Sequence, residues 1–465
     1  MARLSVGEAA RAVGGRIAAG GADATMDAMI DGAAIDSRAI RGGEVFFAYK
    51  GAQTDGHRFV ADALAKGAAA AVVQEDVPAP PAGAVIRVED TFKALHDLAR
   101  FVRARVPEKL VGITGSAGKT TTKELLGAIL DSRFRTAWTP GNLNNLYGFP
   151  LSLLNVPDDT EWMVAEMGMS TPGELRELSL LGRPDAVVFT VVRPVHLEFF
   201  PNVAAIAEAK SEILAGLAPD GFIVANADDR EVTRIARRHG ARVVWYSQLA
   251  AHEADVRALD IAPEPDGAVG SRFRLEAGGR SVEVRLPLHG LYNVENCLAA
   301  AACAWALGLS LEEIAAAVRN VKPASMRGVV HRTEAGFTLI DDSYNSNPDA
   351  LGKALESAAA YPAGRRVAVL GDMRELGPGG PRFHREAGEH AARLGFAVAG
   401  VGELSRELVA GAGGDSVWLP DAEAAADWAA AEVRSGDVVL VKASRGVGLD
   451  KVVRRLLGST EGGSH

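Results

Sequence analysis

Val111-Gly112-Ile113-Thr114-Gly115-Ser116-Ala117-Gly118-Lys119-Thr120-Thr121-Thr122 is the stretch that decides how the centre of this 465-residue chain folds. An apolar, β-branched run breaks into glycines and a Lys-Thr pair, then passes into the helical pattern Lys123-Glu124-Leu125-Leu126-Gly127-Ala128-Ile129-Leu130. Strand, loop and helix in that order read as a triphosphate cradle. Glycines let backbone approach phosphate oxygens, the helix start aims its N–H groups at them, Lys119 brings charge, and the Thr120 hydroxyl can hold Mg²⁺. The spacing departs from the strict Gly-x-x-x-x-Gly-Lys-Thr form, because Ile113 stands where the first glycine belongs and Gly112 comes one residue early. An ordinary strand-to-helix turn also fits that spacing, so other stretches must decide.

Composition narrows the field. The formal net charge is −9, with acidic residues spread along the chain, which argues against nucleic acid or an anionic membrane as partner. Anionic substrates must then be met by local basic groups. The longest apolar stretch, Cys297 to Leu309, is shorter than the roughly 20 residues of a membrane span. Glu8 falls in the first helical turns and no apolar signal core precedes it, so the cytoplasm is the expected compartment. The chain has 2 cysteines, Cys297 and Cys303, on different faces of an Ala-rich helix, which fits small core residues rather than a disulfide or zinc site.

Three domains are expected in an α/β chain, at 1–107, 108–323 and 324–465. The first alternates short strands (Ala70–Val73, Ala84–Val88) with helices (Val6–Val13, Arg58–Lys66) and ends in an amphipathic connector, Thr91 to Val106, stopped by Pro107. The second alternates strands at Leu110–Thr114, Trp162–Ala165, Ala186–Val192, Phe222–Ala225 and Val243–Tyr246 with helices, which predicts a parallel sheet whose ligands gather at the strands' carboxyl ends. The third repeats the alternation, with strands at Phe337–Ile340, Arg366–Leu370, Ala397–Val401, Ser416–Leu419 and Val438–Val441, as a Rossmann-like, doubly wound unit. The tail from Ser459 to His465 is expected to fray.

Among single residues Lys210 is the most informative. A helix from Val203 to Leu217 puts Ile206, Ala207, Ile213 and Leu214 three and four residues either side of it, and gives it no helical ion-pair partner. A lysine on a buried stripe is paired elsewhere, chemically modified, or snorkels at a domain edge. Glu166 ends a strand where a carboxylate can meet a metal near the phosphate loop. His196 and Glu198 share a face only in extended chain, a spacing that suits a surface pair as well as a ligand set.

Taken together, Thr114 to Thr120, Gly141-Asn142-Leu143-Asn144-Asn145, Glu166-Met167-Gly168, His196-Leu197-Glu198, Ala209-Lys210-Ser211-Glu212, His289 to Asn296, Arg327-Gly328 and Val441-Lys442-Ala443-Ser444-Arg445-Gly446 resemble the Mur ligase family, ATP-dependent amide ligases of peptidoglycan precursor synthesis. Asp341-Asp342-Ser343-Tyr344-Asn345-Ser346-Asn347-Pro348 and Leu370 to Gly377 resemble the member that adds D-alanyl-D-alanine to a UDP-N-acetylmuramoyl-tripeptide. The sibling that adds a single amino acid, diaminopimelate or lysine, to the dipeptide precursor carries Asp-Asn-Pro-Arg, absent here. The resemblance implies a uridine-nucleotide-binding first domain, a central ATPase domain and a C-terminal ligase domain. It implies Mg²⁺ on Thr120 and Glu166, a second metal near His196, and a carbamylated Lys210. It also implies cofactor contacts from Thr114, Gly115, Ser116, Ala117, Gly118, Lys119, Thr120 and Arg327, adenine contacts from Asn293, and nucleotide contacts from Asp342 and Asn345. Substrate contacts are implied for Ser37, Arg38, Asp55, Gly56 and His57, for Asn142, Asn144 and Asn145, and for Asn347, Lys442 and Ser444. The expected protein is a monomer that cycles ATP, D-alanyl-D-alanine and the UDP-sugar peptide without nucleic acid or membrane insertion. Two stretches leave the family pattern: Leu146-Tyr147-Gly148 replaces Glu-Ile-Gly, and Val191-Val192-Arg193 replaces Asn-Ile-Gly.

Overall fold

The computed structural model describes residues 4–19, 26–51, 54–78, 83–106, 108–195, 197–249 and 253–458. Pro107, His196 and Ser459 to His465 lie outside the described residues. The chain divides into two compact units, one of residues 1–114, 133–187 and 210–222, the other of 115–132, 188–209 and 223–465.

The first unit holds a five-stranded sheet in the order Arg16–Ala19, Ala84–Arg87, Ala70–Val73, Glu44–Phe47, Gly32–Ala34, parallel except for its first strand. Ala70, Ala71, Val72 and Val73 are all buried, as a parallel strand covered on both faces requires. On the outer strand, Ala33 N–H donates to Asn155 Oδ1 at 3.0 Å and Asn155 Nδ2 donates to the Ala33 carbonyl at 2.9 Å. The connector helix, Thr91–Arg103, starts where the Asp90 carboxylate accepts the N–H groups of Phe92 and Lys93, and buries Leu95, Leu98, Ala99 and Val102 on one stripe. It ends earlier than the sequence pattern suggests. The same unit sets Thr136–Trp138, Trp162–Glu166 and Lys109–Thr114 side by side and parallel, with Glu166 in register with Ile113.

In the second unit Arg242–Ser247 pairs parallel with Val256–Pro263, and the chain returns antiparallel through Ser271–Ala277 and Arg280–Leu286. The helix Tyr292–Ala306 is buried from Asn293 through Ala304, which its run of alanines permits. Cys297 and Cys303 sit inside it, and burial pushes the Cys297 thiol up to about 12. A six-stranded sheet follows in the order Val329–Arg332, Thr338–Asp341, Asp437–Lys442, Arg365–Gly371, Phe396–Val401, Val417–Leu419. Alternate strand residues feed two cores. Leu339, Val367, Val369, Val439 and Val441 pack with the helices Ala422–Glu432 and Asp450–Leu456, while Ile340, Ala368, Leu370, Val438 and Leu440 pack with Pro348–Ala359, Gly380–Arg393 and Ser405–Ala412. This is the doubly wound arrangement expected. Gly388 and Gly411 let two of those helices touch backbone to backbone, since a Cβ on either would overlap the Leu408 or Arg385 carbonyl.

The structure differs from the sequence reading in three places. Thr136–Trp138 and Val329–Arg332 are short, partly exposed strands without a hydrophobic signal. The strand from Ala186 stops at Phe189. The helix from Val203 is α-helical to Ser211 and continues as a 3₁₀ turn, Glu212–Gly216. Among the described residues no helix is long and apolar enough to cross a membrane.

Candidate active site

The phosphate loop is braced from behind by the chain that follows Phe189. Thr190 Oγ1 donates to the Ala117 carbonyl at 2.6 Å, and Ser116 N–H donates to the Val191 carbonyl at 2.7 Å. Ser116 Oγ donates to the Arg193 carbonyl and accepts the Arg193 N–H at 3.1 and 2.9 Å. Arg193 is itself fixed by Asp229, whose carboxylate takes its guanidinium at 2.7 Å and the Val192 N–H at 2.9 Å. The Val191-Val192-Arg193 departure therefore serves as a clamp on Ser116. Lys119 opens the helix Lys119–Asp131 and reaches back to donate to the Gly115 carbonyl at 2.9 Å. These bonds fix the loop before a phosphate arrives, the condition for an anion cradle to bind without reordering.

Gly118 has φ +82°, and a methyl group there would overlap Asn296 Oδ1. Where the loop cradles ATP, as the resemblance implies, Gly118→Ala is expected to raise the KM for ATP by about tenfold or more, since left-handed strain and a side-chain clash together exceed ~1.4 kcal/mol. ATP titration beside a melting curve separates this from general unfolding. Thr190 and Asp229 carry no signal in the sequence, and Asn296 enters only as the end of the family-like stretch His289 to Asn296. Asn293 and Asn296, three apart on one helical face, were the available signal.

In the second unit Asn293 Nδ2 donates to the His289 carbonyl at 2.7 Å, and its Oδ1 accepts from Asn296 Nδ2 at 2.8 Å. Asn293, Arg327 and Thr121 line one small crevice, so the start of the helix Tyr292–Ala306 and Arg327 meet there. The Arg327 guanidinium lies over the Tyr344 ring, 4.1 Å from its centre. Asp342, two residues before that ring, receives Lys442 Nζ at 2.6 Å, and the same ammonium donates to the Asn345 carbonyl at 2.8 Å. Lys442 is 3% exposed, so it braces this loop from inside. Asn347 caps the helix Pro348–Ala359 by accepting the Ala350 N–H, and Ser444 Oγ accepts the Arg374 N–H. The neighbouring Asp341 carboxyl is raised by burial against two hydrogen bonds from Ser343.

In the first unit Glu166, 2% exposed, ends its strand with one oxygen accepting from Asn144 Nδ2 at 2.6 Å and its N–H donating to Thr139 Oγ1 at 3.1 Å. The Asn142 carbonyl accepts the Asn144 N–H at 2.7 Å, and Asn145 Oδ1 accepts the N–H groups of Tyr147 and Gly148. These asparagines shape the loop that carries them. Lys210 is 1% exposed, and Ile206, Ala207, Ile213 and Leu214 are all buried. Thr114 and Thr120 are buried as well.

The first unit also places Ser37, Arg38 and Gly56 along one cavity with Asp36 and Lys50. Arg38 forks onto Asp36 through Nε and Nη2, and this pairing holds the Asp36 carboxyl below its usual range. His57 is fixed as one tautomer: Nε2 accepts the Gln74 N–H at 3.1 Å, so Nδ1 carries the proton it shares with Asp55 at 2.7 Å. Backbone and ring donors of His57 hold the Asp55 carboxyl low. Asp55, His57 and Glu75 lie within metal-sharing distance, yet both imidazole nitrogens are already used.

Family comparison agrees with this arrangement along the chain. The Mur ligase family catalytic domain matches residues 29–103, the Mur ligase middle domain 113–304, and the glutamate ligase domain of Mur ligases 326–445. UDP-N-acetylmuramoyl-tripeptide--D-alanyl-D-alanine ligase of Escherichia coli (strain K12) is 36% identical over 441 residues, covering 94% of this chain and 95% of the relative. The Bacillus subtilis (strain 168) protein of that name is 34% identical, covering 93% and 94%. MurF from Acinetobacter baumannii superposes with a TM-score of 0.86 at 28% identity, over 98% of this chain and 99% of that one. MurF ligase from Thermotoga maritima, solved with ADP, gives 0.79 at 30% identity over 92% and 97%. A braced phosphate loop, a strand-end carboxylate, a buried helical lysine and matches that run nearly end to end have one common explanation: the chain belongs to the Mur ligase family.

Proposed function

We propose that this protein joins D-alanyl-D-alanine to a UDP-N-acetylmuramoyl-tripeptide with conversion of ATP to ADP and phosphate, a step of peptidoglycan precursor synthesis carried out in the cytoplasm. The observation that carries the reading is the braced loop around Lys119 in a chain whose relatives of that activity align over nearly their full length. Residues 1–107 would take the uridine nucleotide, 108–323 ATP, and 324–465 the incoming dipeptide.

The chemistry accounts for the residue types. A carboxylate is repelled by a γ-phosphate and is a poor electrophile, so both charges must be offset before its oxygen attacks phosphorus and ADP leaves. Lys119 and Arg327 supply positive charge for that step. The amine of D-alanyl-D-alanine then attacks the acyl carbon, giving a tetrahedral intermediate that expels phosphate and loses the amine proton. Asp342, braced by Lys442, suits the ribose hydroxyls as an acceptor. Thr120 and Glu166 offer the hard oxygen donors that Mg²⁺ takes, and the Asn144 amide on Glu166 is the outer support that metal-binding carboxylates carry. When bound, Mg²⁺ would withdraw charge from the transferring phosphoryl group. We assign Lys210 as the site of a carbamate and His196 as a further metal ligand. Burial suits the neutral amine that must attack CO₂, forming an N–C bond and losing a proton.

Phosphate release from ATP, measured with each UDP-muramoyl peptide and each candidate amine, tests this reading. Release is expected to need both the tripeptide precursor and D-alanyl-D-alanine, and to fall to background with free D-alanine. Equal release with the dipeptide precursor and diaminopimelate or lysine would assign the chain to its sibling activity.

A further inference from the structure

Arg193 does more than brace Ser116 from behind. Its guanidinium stands between two carboxylates of the second unit: Nη1 donates to Asp229 at 2.7 Å, and Nε lies 3.6 Å from Asp349 Oδ1. Asp349 sits in the first turn of the helix Pro348–Ala359. One turn on, Lys353 Nζ lies 3.3 Å from Asp349 Oδ2 and 3.9 Å from Glu295 Oε2. Glu295 Oε1 accepts from Asn226 Nδ2 at 2.8 Å, and that amide also donates to the Thr190 carbonyl at 3.2 Å. Thr190 holds the Ala117 carbonyl, so the path returns to the phosphate loop that it left at Ser116. Two side chains of one helix thus close a ring of polar contacts that begins and ends on the loop.

The charges in this ring depend on one another. Asp349 Oδ2 is cut off from water and accepts no hydrogen bond among the described residues, so the cations on either side must offset its charge. Asp229 is 2% exposed, and its other oxygen is taken by the N–H groups of Glu231 and Val232. An acid in the first turn also favours its own helix, and Asp349 makes an ion pair within it to Lys353. Neither role calls for Arg193, which belongs to another element and whose backbone is tied to the Ser116 hydroxyl in both directions. A phosphate that fixes Ser116 therefore fixes Arg193, and a partner of Arg193 then loses less freedom on docking.

Resting on the reading of this loop as a phosphate cradle, we propose that Arg193 and Asp349 are positioning residues that couple the loop to the helix Pro348–Ala359: an anion on the loop tightens the helix, and the docked helix keeps the loop in its binding shape. Linkage makes the two effects reciprocal. Inorganic triphosphate with Mg²⁺ is the probe, since it can fill the loop but carries no adenosine to touch Asp342 and Asn345. On adding it to the full chain, amide hydrogen exchange in the helix should slow about fivefold, the lower end of coupling between sites. Asp349→Asn, which removes the charge and keeps the shape, should abolish that slowing. It should also weaken triphosphate about fivefold while melting close to wild type. A residue that served only its own helix would leave the response to triphosphate intact. The comparison of wild-type protein with and without triphosphate stands even where a variant fails to fold. Helix exchange unmoved by bound triphosphate in wild-type protein, or a slowing that survives in Asp349→Asn, would overturn the coupling. Ligation measured in parallel keeps the two readings apart. A protein that ligates while its helix ignores bound triphosphate keeps the function and loses this inference. One that shows the response but does not ligate does the reverse, and wild-type protein that binds no triphosphate loses the cradle and the coupling together.

Discussion

Lys119→Ala is expected to lower kcat for phosphate release by ~10²–10³-fold or more, with a melting temperature within a few degrees of wild type. The ammonium sits at the first position of its helix and ties back to the Gly115 carbonyl, so its charge is held above the loop rather than spent in a core. Removing it loses the bond to the Gly115 carbonyl, a loop hydrogen bond worth ~1 kcal/mol and only a small shift in a protein of this size. On the proposed mechanism it would also strip positive charge from the point of phosphoryl transfer, where a preorganised donor is worth several times more. Lys119→Met, which keeps the stem but not the charge, should behave like the alanine variant. Near-normal turnover in Lys119→Met would remove the ammonium from the mechanism.

Loss of comparable size is expected for Lys210→Ala, with a recovery that Lys119→Ala cannot show. The side chain is almost wholly buried and its helical neighbours Ile206, Ala207, Ile213 and Leu214 are buried with it. Desolvation favours the neutral amine, and the proposed carbamylation would replace a cation by an anion of the length of a long carboxylate. Formate, acetate or propionate should therefore partly restore Lys210→Ala, and ¹³CO₂ should give the wild-type protein a carbamate carbon resonance that the variant lacks. An inactive variant that no carboxylate rescues, together with a wild-type spectrum free of that resonance, would leave Lys210 as an ion-pair partner.

What could be read in the sequence was governed by distance along the chain. The runs at Leu110–Thr114, Trp162–Ala165 and Val438–Val441 were legible because a strand buried on both faces carries an almost continuous apolar run. The glycines and Lys119 were legible because strand, loop and helix adjoin. Thr190 and Asn296 were not, since the carbonyl of Ala117 and the flank of Gly118 find them only after the chain has folded back across scores of residues. Lys210 was legible as a buried lysine. That its helix tightens into a 3₁₀ turn directly after Ser211 was not, because Glu212-Ile213-Leu214-Ala215-Gly216 has no residue that forbids the α form. Asn144 and Asn145 entered through the family resemblance as substrate contacts, and their partners within the chain were not legible. A side-chain amide chooses its partner from the tertiary structure, here Glu166 for one and the Tyr147 turn for the other.

The amide of Asn155 has a consequence for how copies of this protein meet each other. Gly32–Ala34 is the last strand of its sheet, and an open strand edge is a template on which a foreign strand can add. By giving Ala33 both an acceptor and a donor, Asn155 impersonates one residue of a next strand and then ends it, because its own backbone belongs to the turn after the helix Gly148–Leu154. A side chain thus stands guard against self-assembly at an edge that hydrophobic burial alone would leave open.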